Sequence, residues 1–233
     1  MTFSIVGRCG RTGMFGVAIA TSSICVGARC PHARAGVGAV ASQNITDPAL
    51  GPRTLEQLAK GHDADDALAR AIAGRAHLEY RQIIVVDKAG MTASYSGERI
   101  LGTHAVATDE NCVAAGNLLA SVEVPAAMAD AFVAHAGQHL AERLLRALEA
   151  GVAAGGEQGP VHSSALLVMH EQPFGLVDLR CDWDDADPVG ALRRLWSDYE
   201  PQMEAYVMRA LDPAFAPSYG VPGDQKGETG SLP

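Results

Sequence analysis

Thr2-Phe3-Ser4-Ile5-Val6-Gly7-Arg8, followed beyond a turn at Arg11-Thr12-Gly13 by Gly16-Val17-Ala18-Ile19-Ala20-Thr21, is the stretch that decides the fold. The first run alternates apolar with small polar residues, the period of a strand with one face turned to a core. The glycine-bearing turn brings the second run back beside it, so the chain opens as an antiparallel hairpin. Gly36-Val37-Gly38-Ala39-Val40-Ala41-Ser42-Gln43 is a third strand candidate whose small residues permit close packing. Asp47-Pro48 and Gly51-Pro52 then break the chain.

Two helices are expected next. The first follows Pro52 with Leu55 and Leu58 on one face, and the second runs from about Asp63 to Ala73 with Asp63 as its N-cap. Gln82 to Asp87 and Met91 to Tyr95 flank Lys88-Ala89-Gly90 as another hairpin, and Asn111 to Ala115 is a short strand before Gly116-Asn117. Ala126 to Gly151 reads as helical, with Phe132, Leu140, Leu144, Leu145 and Leu148 on its apolar face. Gly137 is placed to divide it, and Gly155-Gly156 to end it where positive φ is needed. Ser163 to Met169 and Gly175 to Cys181 form the last strand pair, before a final helix from about Pro188 to Leu211.

This order predicts an α+β fold of antiparallel sheets with helices on their outer faces. A parallel nucleotide-binding sheet would need regular β-α-β alternation and a Gly-rich phosphate turn, and neither is present. We expect a single domain over residues 1–212 and a Pro/Gly-rich arm over 213–233. Trp196, Tyr199 and Tyr206 beside that arm suggest a homo-oligomer by symmetric packing; the plainer reading places them in the core of one copy.

The chain has 233 residues, 48% of them hydrophobic, and a formal charge of −9. With no Lys/Arg cluster to offset that balance, nucleic acid and anionic membranes are not expected partners. The first residues lack the basic and long apolar regions of a signal peptide. Five scattered cysteines, an odd number, fit reduced thiols in a cytoplasmic protein better than a disulfide framework.

Several stretches, in order along the chain, carry a family resemblance: Thr2-Phe3-Ser4-Ile5-Val6, Gly16 to Ala20, Ala33 to Ala41, and Gly116-Asn117-Leu118-Leu119. Ala141-Glu142-Arg143-Leu144-Leu145, Ala154-Gly155-Gly156-Glu157 and Val177-Asp178-Leu179-Arg180 continue it. The sequence resembles the domain of unknown function 1028 family, described as N-terminal-nucleophile (Ntn) hydrolase-like, with a fainter similarity to proteasome-type β subunits. The resemblance implies a four-layer αββα sandwich of two antiparallel sheets. It also implies that Thr2 stands at the open end of that sandwich as a catalytic nucleophile once Met1 is removed. A free threonine amine, with a reference pKa of about 7.7–8, would take the hydroxyl proton without a histidine. The sequence departs from the proteasome pattern in its supporting charges: Thr21-Ser22-Ser23 stands where an aspartate is expected, and Arg34 is the nearest cation to the lysine region.

Arg34, Ser42, Gln43, Asn117 and Glu157 are the expected substrate-binding or supporting residues. Gln43 and Asn117 offer amide donors to a carbonyl, and Glu157 an acceptor to a free amine. The plainer reading makes each a turn or strand-end residue that satisfies local backbone. His162 reads as a loop histidine. His135 and His139, spaced i, i+4 with Glu142 nearby, form a zinc-like helical face without a clear third ligand. Cys25, Cys30 and His32 lack the second pair of a zinc finger. The acidic run Asp182, Asp184, Asp185, Asp187 reads as helix N-terminal charge.

The expected activity is therefore cofactor-free, metal-free hydrolysis of an amide (C–N) bond in a small molecule or short peptide. The alternative is a noncatalytic small-molecule-binding protein on the same fold, and a third reading is a metal hydrolase using the His135/His139 face.

Overall fold

The computed structural model describes residues 1–219. Its first compact unit ends at Leu195. Strands β1 (Thr2–Arg8) and β2 (Phe15–Thr21) form the expected hairpin, followed by β3 (Pro31–Arg34) and β4 (Gly38–Asn44). Helices α1 (Leu50–Ala59) and α2 (Ala64–Ile72) lead to β5 (Arg81–Asp87), β6 (Thr92–Ser96), β7 (Ala105–Asp109) and β8 (Cys112–Asn117). Then come α3 (Val124–Ala134), α4 (Leu140–Ala153), β9 (Ser163–Met169), β10 (Val177–Cys181) and α5 (Pro188–Tyr199).

The strands make two antiparallel sheets, one ordered β10-β9-β2-β1-β8-β7 and the other β3-β4-β5-β6. Period-two alternation assigns each strand two faces. Val6, Phe15, Val17 and Val113 of the larger sheet meet Ala39, Ala41, Ile84 and Val86 of the smaller, an apolar seam between the sheets. Val40, Ile83 and Val85 turn the other way, onto Leu50, Leu55, Leu58 and Leu68 of α1 and α2. On the far side, α3 and α4 cover β1, β2 and β8. Two strand glycines permit that approach: a Cβ on Gly7 would stand 2.6 Å from the Phe132 ring, and one on Gly16 2.6 Å from Leu144. The result is a four-layer αββα sandwich, the layering that the family resemblance implied.

Several local details follow from the sequence. Asp63 caps α2 by accepting the Asp66 N–H at 2.9 Å. Gly155 and Gly156 adopt φ of 111° and 56° just past α4, so glycine ends that helix as expected. The chain also breaks between α3 and α4, so His135 and His139 belong to different helix ends. His135 bonds back to Ala131 O at 2.7 Å, and His139 accepts the Ala141 N–H. The i, i+4 zinc face therefore does not form, and among the described residues no three potential ligands converge. Strands β3 and β7 are additions to the sequence reading.

From Trp196 the chain forms a second unit. The single final helix expected here is two, because Pro201 lacks an N–H: a 3-10 turn at Glu200–Gln202 separates α5 from α6 (Met203–Leu211). Within this unit Tyr199 stacks on Tyr206 and Arg209 lies 3.8 Å over the Tyr219 ring. Most of the expected arm over 213–233 falls outside the described residues. Among the described residues, no helix is long and apolar enough to cross a membrane.

Candidate functional site

The seam between the sheets changes character along its length. Toward the Arg8 end of β1 it is apolar, whereas Thr2 and Ser4, on the same face as Val6, make the other end polar. The register brings matching polar residues there: Thr2 stands opposite Thr21 of β2 on one side and Asn117 of β8 on the other. Gln43 and Gln82, paired across β4 and β5, face them from the second sheet.

These side chains form one buried network. Ser4 donates to Gln43 Oε1 at 2.5 Å, and Gln43 Nε2 donates to Gln82 Oε1 at 2.8 Å. Asn117 Nδ2 also donates to Gln82 Oε1, at 3.2 Å, while Gln82 Nε2 reaches Gly116 O at 3.2 Å. The amide nitrogens expected to serve a substrate thus bond to Gln82. Asn117 Oδ1 is buried without a partner, so that side chain presents an acceptor rather than a donor.

Thr2 lies at the outer edge of this network and is only 5% exposed. Its Oγ1 is 3.1 Å from Thr21 Oγ1 and donates to Met1 O at 2.5 Å. Thr21 Oγ1 donates to the same carbonyl. Beside them, Glu157 is carried in by a short antiparallel bridge with Leu119, just after the Gly155-Gly156 turn. Its carboxylate is fully buried, 4.0 Å from the Met1 amine. Burial pushes the Glu157 carboxyl up to about 8; the terminal ammonium and the Ser22 amide offset this only in part. Neither oxygen reaches a well-formed hydrogen bond.

The other expected residues lie elsewhere. Ser42 points away from the seam, donating to Asp47 O at 3.2 Å. Arg34 is exposed at the opposite end of the sandwich, on the turn side of the β3–β4 hairpin. There it lines a cavity of about 520 Å³ with Ala33, Pro52, Glu56, Met169 and Glu171. That cavity's polar side chains, Arg34, Glu56 and Glu171, are all exposed, and none gathers as Thr2 and Glu157 do. His162 stacks on Trp183 at 4.3 Å, with Asp185 3.2 Å away. Cys30 faces Thr46 and His32 faces Arg29 O, so these two do not share a ligand. Asp184 and Asp187 bond backbone N–H groups at the start of α5, as expected of the acidic run.

Thr21 and Gln82 were not singled out from sequence. Thr21 ends the second strand of the expected hairpin, where it pairs with Thr2, but Gln82 becomes meaningful only when β5 lies opposite β1.

The model of the family of unknown function DUF1028 matches residues 2–192. The chain belongs to the DUF1028 family. A DUF1028 crystal structure from Silicibacter pomeroyi is 33% identical to it, with 85% of each chain covered and a TM-score of 0.79. Two structures of Anbu, an ancestral β-subunit, also match. The one from Yersinia bercovieri is 10% identical over 88% of this chain and 97% of its own, with a TM-score of 0.38. The one from Hyphomicrobium sp. strain MC1 is 12% identical over 88% and 98%, with a TM-score of 0.36. No curated protein matches this DUF1028 chain.

Proposed function

We propose that this protein is an Ntn-type hydrolase of an amide bond in a small molecule or short peptide, with Thr2 as nucleophile after Met1 is removed. The observation that carries the reading is the pair of threonine hydroxyls, 3.1 Å apart, that both hydrogen-bond one carbonyl, that of Met1. A substrate carbonyl arriving there meets one hydroxyl able to attack and a second able to donate.

The steps follow from these groups. The freed Thr2 amine takes the proton from Oγ1, which attacks the amide carbon. Thr21 Oγ1 donates to the oxyanion, a role that a preformed neutral donor fills well. As the C–N bond breaks, the leaving nitrogen takes the proton back from the Thr2 ammonium. Water, deprotonated by the same amine, then hydrolyses the ester and restores Thr2. No cofactor enters.

A second reading, a noncatalytic small-molecule-binding protein, is favoured by the low exposure of Thr2 and by its bond to Met1 O. Intact mass of protein expressed without an N-terminal tag separates the two. Loss of one methionine, followed by amide cleavage that Thr2→Ala abolishes, supports the hydrolase. A fully retained Met1 removes the free amine and leaves the binding reading.

A further inference from the structure

The geometry points to an aminoacyl amide as the substrate class: an α-amino acid with a free ammonium and a linear apolar side chain, joined through its carbonyl to the amine that leaves. This rests on the hydrolase reading above, because Met1 must depart before its place is open.

Met1 is itself a template for that ligand. Its carbonyl accepts from the Thr2 and Thr21 hydroxyls. Its amine lies 4.0 Å from Glu157 Oε2. Its side chain runs against Gly159, where a Cβ would stand 2.8 Å from Met1 Cε and 3.3 Å from Sδ. Three fixed points thus surround one aminoacyl residue: a hydroxyl pair for its carbonyl, a carboxylate for its ammonium and a side-chain floor kept open by glycine.

Glu157 points to the same ligand independently of the hydroxyl pair. Its carboxylate is fully buried, and neither oxygen reaches a well-formed hydrogen bond, the Ser22 amide being its only backbone neighbour of note among the described residues. Buried acceptors of this kind are costly and are normally satisfied. The nitrogen it faces belongs to the residue before Thr2, not to Thr2. It therefore stands where the ammonium of an acyl group presented to Thr2 would lie, shifted outward by the contact between the substrate carbonyl and the Thr2 amine. An incoming ammonium favours the ionised form, so binding draws the proton off the Glu157 carboxyl and the pair forms as ammonium and carboxylate; an N-acylated substrate brings no charge to do so.

Protein lacking Met1, verified by intact mass, is titrated calorimetrically with L-methioninamide and with N-acetyl-L-methioninamide. The same protein is assayed with L-methionine p-nitroanilide and its N-acetyl counterpart. We expect the acetylated amide to bind about ten- to a hundredfold more weakly, the range for loss of a charged hydrogen bond. Glu157→Gln should abolish that discrimination. Gly159→Ala, whose added methyl meets only the far end of a flexible side chain, should shift preference toward L-alaninamide by about tenfold. Equal binding of the two amides, or binding of neither, overturns the inference whatever the anilides show. Cleavage of both anilides at equal rates also overturns it while the hydrolase reading stands. Discriminating binding without cleavage of either anilide sustains the amine recognition and defeats the hydrolase reading.

Discussion

Glu157→Gln keeps the shape of the side chain and removes its charge, so its effect on stability must vary with pH in one direction. The carboxyl, ordinarily at 4.5, is pushed up to about 8 by burial. Below the lower value it is protonated in folded and unfolded chains alike, and nothing is lost. Between the two values the unfolded chain has released the proton and the folded chain still holds it. Folding then takes up a proton, and stability falls as pH rises. Above the upper value both forms are ionised and the folded state carries the whole desolvation cost. At about 1.4 kcal/mol for each pH unit, the window amounts to roughly 5 kcal/mol. Glutamine does not titrate. Urea unfolding of the two proteins, both retaining Met1, should therefore give free energies within about 1 kcal/mol of one another near pH 4. By about pH 9 the glutamine variant should be ahead by roughly 3–5 kcal/mol. A difference that stays flat across that range, or that favours glutamate at the alkaline end, would refute the burial argument.

Gln82→Leu should cost about 3–5 kcal/mol in urea unfolding, because it strands Gln43 Nε2, Asn117 Nδ2 and the extra bond to Gly116 O together; a cost near that of a surface substitution would show the network to be dispensable. Gly16→Ala places a methyl 2.6 Å from both Leu144 and the Leu167 carbonyl, and thermal unfolding should register a loss of about 1–3 kcal/mol. The same change at Gly137, whose Cβ would meet nothing within 4 Å, is the control and should leave the melting temperature nearly unchanged. Cys112, whose thiol burial pushes up to about 12, should resist alkylation by iodoacetamide at pH 8 until the chain is unfolded; rapid native-state labelling there would contradict its burial.

The hairpin of β1 and β2 was legible because alternation and a glycine turn act within twenty residues. The Gly155-Gly156 stop and the Asp63 cap were legible for the same reason. By contrast, Pro31-His32-Ala33-Arg34 has no clean period, and it becomes β3 because β4 pairs with it at the sheet edge. Pro201 is a local signal too, but helical apolar spacing on both sides of it masks the break. At the site, Thr2, Gln43, Asn117 and Glu157 come together, yet Ser42 and Arg34 do not. Ser42 adjoins Gln43 in sequence and therefore points to the opposite face, a consequence of strand geometry that depends on knowing which face is inner. Gln82 bonds partners 39, 34 and 35 residues away in the chain, beyond the reach of any local pattern.

The amide bridge from Ser4 through Gln43 and Gln82 to Asn117 has a mechanical meaning as well. Two greasy surfaces pressed together resist separation but resist rotation or slippage only weakly, because apolar contact has no preferred direction. A chain of directional bonds pinned at one end behaves like a dowel through two boards. It fixes the angle of one sheet on the other beside Thr2, while the far end of the seam is held only by apolar contact that sets no angle. Drift in the composition of that far end would therefore change how firmly the boards are held, and leave the alignment of the hydroxyls and carboxylate at the pinned end as it was.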